Sequence, residues 1–119
     1  MPIDFCADRW NKIKQNAEKW WSHKLGRPLI QVRLKGRNPQ REKPKHPLYT
    51  FASFYDLSIP AEEIVDVWDY DLSCTKFMGD AFPHVWPNFG PGVLAALLGA
   101  SLQNGVDTVW FQPTGDLKI

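Results

Sequence analysis

Cysteine is scarce: Cys6 and Cys74 are the only two in 119 residues. Two thiols build neither a disulfide framework nor a four-ligand zinc site, so they read as reduced, partly buried side chains. No apolar run approaches the roughly 18 to 20 residues needed to cross a bilayer. The first residues, Met1 to Asp8, hold acids where a secretory signal needs a basic and then an apolar stretch. The expectation is a cytoplasmic chain without a membrane partner. Also missing are a Gly-x-Ser-x-Gly elbow, the Lys-Ser/Thr of a P-loop, and spacings such as Cys-x-x-Cys or His-x-x-x-His. No metal and no cofactor is expected. Aromatic residues, by contrast, are plentiful. Six Trp, seven Phe and three Tyr within a 44% hydrophobic composition are enough for a core and exclude outright disorder.

The net charge of +1 conceals a division. Residues 1–47 carry 12 Lys and Arg against 4 Asp and Glu, a balance of +8, while residues 48–119 carry 2 against 9, a balance of −7. A basic arm for nucleic acid is one reading of such asymmetry. The cations are spread over a helix, a strand and a loop without interleaved aromatics, which argues against nucleic acid as a partner. Two complementary faces, meeting within the fold or between chains, account for the division better.

Apolar periodicity places the elements. Trp10, Ile13, Ala17, Trp20 or Trp21 and Leu25 recur at helical spacing over Ala7 to Lys24, with Asp4 or Asp8 as cap and Gly26 and Pro28 as stop. Ile30, Val32 and Leu34 alternate, predicting a strand with those three on its buried face. Gly36 to Pro47 holds three prolines and four cations against one acid, and is expected to be an exposed, mobile loop. Tyr49, Phe51, Phe54 and Tyr55 fit a short helical turn. A second helix starts near Pro60, with Glu62 and Glu63 at the positive end of its dipole, and continues through Ile64, Val65, Trp68 and Leu72 to about Thr75. Ala81 to Phe89 is apolar but broken by Pro83 and Pro87, which leaves a short strand over Phe82 to Trp86. After Gly90-Pro91-Gly92 come a nearly all-apolar helix, Val93 to Leu98, and a last strand, Asp107 to Phe111. Trp10, Trp20, Trp68 and Trp110 are expected in the core. Strands separated by helices favour a parallel or mixed α/β sheet.

Three stretches together resemble a known superfamily. They are Arg9-Trp10-Asn11 through Trp20-Trp21 with Arg27-Pro28-Leu29-Ile30; Phe82-Pro83-His84-Val85-Trp86-Pro87-Asn88-Phe89-Gly90-Pro91-Gly92 with Ala95 to Gly99; and Asp107-Thr108-Val109-Trp110-Phe111. The arrangement is similar to the N-terminal part of bacterial uroporphyrinogen decarboxylase-like proteins, whose superfamily includes porphyrin decarboxylases and corrinoid-dependent methyltransferases on a TIM barrel. The resemblance covers most of this chain and about the first third of such a protein. It departs at Val32-Arg33-Leu34-Lys35-Gly36-Arg37, which lacks the decarboxylases' arginine-rich pattern. The zinc-binding His and Cys of the methyltransferases lie further along than Ile119.

The resemblance implies a single α/β domain over 1–119 made of partial TIM-barrel-like βα units, with about three strands and three or more helices. A whole barrel takes at least about 200 residues. Completion by homo-oligomerisation is therefore expected, since the open fragment leaves apolar helix faces and strand edges uncovered. It also implies that the segment bearing His84 leads to the barrel mouth, where His84, Trp86, Asn88 and Asp80 would bind a small-molecule substrate. The plainer reading is a His84 ring packed on Trp86 or Phe82 and bonded to a backbone carbonyl. Gly90-Pro91-Gly92 reads as a tight turn or, less simply, as backbone N–H groups offered to an anion. Two function classes follow: an enzyme part of the decarboxylase or methyltransferase kind, not catalytic alone, or a small non-catalytic domain that self-associates or binds another protein.

Overall fold

The computed structural model describes residues 3–115. It forms two compact units, one from residues 3–47 and 61–85, the other from 48–60 and 86–115. Neither contains βα repeats. The partial TIM-barrel architecture expected from the resemblance is corrected here: each unit carries one two-stranded antiparallel sheet, and the described residues include three α-helices in all.

In the first unit, helix α1 spans Ala7–Trp21 and strand β1 spans Gln31–Lys35. Helix α2 spans Ala61–Ser73 and runs, after one residue, into β2, Thr75–Gly79. The helix α1 ends before Gly26 because His23 adopts a left-handed φ of 57°, while Ser22 returns its hydroxyl to the Glu18 carbonyl at 2.9 Å. The two strands pair with Val32 opposite Met78 and Arg33 opposite Phe77. The second strand therefore lies seven residues upstream of the expected one, in the part of the chain read as the end of α2 and a link. Pro83 and Pro87 supply no N–H for a ladder, and the segment Ala81–Phe89 has no regular structure.

The core of this unit is thin. Ile13 of α1, Val67 of α2 and Phe77 of β2 are buried together with Ala81. Phe5 meets Phe77 edge-on at 6.1 Å and Trp10 meets Phe82 at 5.2 Å. Only the Phe77 and Thr75 side of the sheet is covered. That overturns the face assignment for β1: Ile30, Val32 and Leu34, expected inside, are 55%, 39% and 50% exposed.

The proline-rich loop, expected to be mobile, is docked. Pro39 is buried, and the Arg37 backbone and side chain bond the carbonyls of Cys74 (3.0 Å) and Ser73 (2.7 Å). Arg41 reaches Asp66 at 2.7 Å and Asp69 at 3.7 Å while lying over the Tyr70 ring. His46 bonds Glu63 at 2.7 Å. Lys35 of β1 adds a contact to Asp71 at 2.6 Å. The excess cations of residues 1–47 thus meet the acids of α2 inside one unit, which is the complementary-face reading of the charge division.

The second unit contains a 3-10 turn at Ala52–Phe54, helix α3 (Val93–Leu97), and a hairpin of β3 (Ser101–Asn104) with β4 (Val109–Gln112). Strand β3 went unseen in the sequence because Ser101-Leu102-Gln103-Asn104 carries a single large apolar side chain. Tyr55, stacked edge-on against Tyr49 at 4.8 Å, and Val109 are its buried apolar residues. Gly90 has a φ of +89°, and a Cβ there would collide with the Val109 methyl. Asn88 locks this turn by accepting the Gly90 N–H at 3.0 Å. Trp10, Trp20 and Trp110 are exposed and Trp68 is half-buried, so the expected tryptophan core is corrected as well.

Candidate functional site

Asp80 is the one sequence-derived site residue that the fold surrounds. Gly79, with a φ of +62°, turns the chain off the end of β2 in a conformation that a Cβ would block by meeting the Ile30 carbonyl. The turn brings the Asp80 carboxylate back to the start of β1, where it is 3% exposed. There it accepts from both Arg27 nitrogens (2.8 and 3.1 Å), from the Asn16 amide (3.0 Å) and from the Ile30 N–H (3.1 Å). The bidentate Arg27 contact outweighs the desolvation that opposes it and, with Asn16 and Ile30, holds this carboxyl well below the usual carboxylate range. A carboxylate so pinned stays ionised at neutral pH and has no proton to give. Its chemistry is that of a clamp joining α1, the Arg27–Ile30 segment and β2. A cleft of about 380 Å³ opens beside it, lined by Arg9, Lys12, Ile13, Asn16, Arg27 and Asp80 with Gly79.

His84 belongs to the same unit and lies exposed. An Arg33 nitrogen sits 2.6 Å from Nδ1 and 2.9 Å from Nε2, and the ring tilts on Phe82 at 5.0 Å. Arg33 is a donor only, so the ring nitrogen it bonds is an acceptor. Of the plainer reading, the ring contact with Phe82 is present, while the expected backbone-carbonyl partner is replaced by Arg33. No hydrogen bond links His84 to Asp80. Trp86 and Asn88 belong to the other unit. Trp86 is exposed, and Asn88 spends its side chain on the Gly90 turn and its carbonyl on the Ala52 N–H at 2.7 Å. Arg27 and Asn16 were missed as site residues, and no local signal could have found them: they stand 53 and 64 positions from Asp80.

The outer side of the β1–β2 sheet forms a second surface. Ile30, Val32 and Leu34 from β1 and Met78 from β2 present an apolar strip, with Lys76 beside Leu34. In unit two, Leu94, Leu97 and Leu98 of and just beyond α3 are largely exposed, as is Trp110. Among the described residues no three His, Cys, Asp or Glu side chains converge as metal ligands, and no helix is long and apolar enough to cross a membrane.

No protein-family model, curated protein or solved structure matches this chain.

Proposed function

We propose that this chain is a non-catalytic association domain that works by covering its exposed apolar surface with another polypeptide. One observation carries the reading. Among the described residues, twenty large hydrophobic side chains are exposed while six hydrophobic residues are buried, and the exposed ones include a contiguous sheet face rather than scattered positions. Single exposed apolar residues are ordinary, whereas a contiguous strip marks an interaction surface. The enzyme reading has less behind it. Asp80 is saturated by Arg27, Asn16 and Ile30, and His84 is held by Arg33 at an open surface. Neither sits where a base and a substrate proton could meet in a water-excluded pocket.

Sedimentation of the whole chain over a range of concentrations, with a dye that fluoresces on apolar surface, tests the reading. The expected result is dye binding by the isolated monomer, or concentration-dependent association that quenches it. A monomer that binds no dye overturns it. The homo-oligomer anticipated from the sequence is one way of meeting the same requirement, and the sedimentation profile tells it from a domain that waits for a different partner.

A further inference from the structure

The free edge of β1 carries a more specific reading, which rests on the association role proposed above. In an antiparallel ladder, alternate residues turn both backbone polar groups toward the partner strand and the rest turn them away. Two bonds flanking the β1–β2 pairing fix the phase here: the Asp80 N–H donates to the Ile30 carbonyl at 2.8 Å, and the Gly36 N–H donates to the Cys74 carbonyl at 3.1 Å. Residues 30, 32, 34 and 36 therefore face β2. Gln31, Arg33 and Lys35 point their N–H and C=O groups outward, and no backbone or side-chain group among the described residues bonds them. The far edge of β2 is treated differently. The Phe77 carbonyl, opposite Arg33 and so also outward, is taken by the Arg9 guanidinium at 2.8 Å. One outward carbonyl of β2 is thus taken, whereas the outward groups of β1 are all open among the described residues and every β1 residue is exposed.

We propose that this edge accepts an extended polypeptide segment as a third strand, and that the segment alternates apolar with acidic residues. Backbone groups of an added strand would pair with Gln31, Arg33 and Lys35. Its side chains would fall alternately on the two faces of the sheet. On one face they meet Ile30, Val32 and Leu34, which calls for apolar residues. On the other they meet Arg33 and Lys35, which calls for carboxylates. Lys35 already has Asp71, whereas Arg33 lies over the Phe77 ring and meets the His84 ring and the Phe82 carbonyl (3.5 Å), with no carboxylate among the described residues. A second copy of β1 fits poorly: antiparallel pairing about Arg33 sets one guanidinium directly against another, a like-charge cross-strand pair. Cations on an edge strand are a recognised guard against self-pairing.

The test is a titration of the ¹⁵N-labelled full chain with acetyl-Val-Glu-Val-Glu-Val-Glu-amide, its Lys-for-Glu counterpart, and a version methylated at every backbone nitrogen. The Glu peptide is expected to bind with a dissociation constant below about 1 mM and to shift and protect the Gln31, Arg33 and Lys35 amides. The Lys peptide should bind about fivefold to tenfold more weakly, and the methylated one should not bind. Arg33→Pro removes an outward N–H and should abolish binding while Val32 and Leu34 stay protected in the ladder. If that variant does not fold, the methylated peptide answers the same question on the natural chain. Absence of shifts at the three amides, equal binding of the Glu and Lys peptides, or binding that survives methylation overturns the proposal. So does β1-to-β1 pairing of two copies. Failure here alongside dye binding or association in sedimentation removes only the strand-addition claim; failure of both removes the association role with it.

Discussion

Asp80 shows how a residue read as a ligand-binding candidate becomes a structural one. Its four hydrogen bonds come from a helix, a loop and a strand start, so replacing it loosens all three at once. Asp80→Asn is expected to lower stability at neutral pH by about 2 kcal/mol, the scale of charge-assisted hydrogen bonds lost. The pH dependence has a definite sign. The native carboxyl is held below its ordinary value, so its contribution is complete above about pH 4 and drains away as the pH falls further. Denaturant melts of the two proteins should therefore differ most above that pH and converge in acid. A gap that stays constant down to the lowest accessible pH would mean the Arg27 contact is not what stabilises the site. Gly90 offers a steric counterpart in the other unit. Gly90→Ala forces a Cβ into the Val109 methyl at a φ of +89°, and should cost about 2 to 4 kcal/mol in a thermal or urea melt.

At the scale of elements, the loop over Gly36 to Pro47 and the acidic face of α2 form one device. Composition alone gave the loop no reason to settle, because it offers no large apolar side chain. What holds it is a buried Pro39, the Arg37 bonds to the end of α2, and the Arg41 pairs with Asp66 and Asp69. Asp66 lies beside Arg41 only once α2 is formed and packed, a pairing across 25 positions that local spacing does not reveal. Trypsin should cut slowly after Arg41 in the native protein. Removing both acids, as Asp66→Asn with Asp69→Asn, should speed that cleavage while lowering stability by about 1 kcal/mol or less, since the pairs are half-exposed. High salt, near about 1 M, should reproduce part of the effect on the natural chain by screening. Unchanged cleavage under both conditions would show that Pro39, Arg37 and the His46–Glu63 contact hold the loop without the Arg41 pairs.

For the molecule as a whole, the unusual property is how little of its aromatic and aliphatic surface is covered. Trp10, Trp20, Trp21, Trp86 and Trp110 are exposed and Trp68 is half-buried. Native tryptophan emission should accordingly resemble that of a solvated indole, should be largely quenched by iodide, and should shift little on unfolding in urea. Trp68→Phe should remove the part that iodide does not reach. Strongly blue-shifted emission that iodide leaves intact in the monomer would contradict the exposure on which the association role depends.

Local sequence pattern placed the helices α1 and α2 and the strands β1 and β4 to within a few residues, because apolar periodicity, prolines and glycines are local quantities. It also determined that the basic and acidic halves would need each other. It could not determine which face of β1 is covered. Ile30, Val32 and Leu34 alternate as a buried face would, but burial depends on where α1 and α2 lie, and both lie on the Phe77 side. The pairing direction of the sheet was likewise a tertiary decision. A helix between two strands suits a parallel crossover, yet α2 turns into β2 after a single residue and delivers it antiparallel to β1, where the register joins Gln31 to Gly79 and leaves the opposite edge of β1 open.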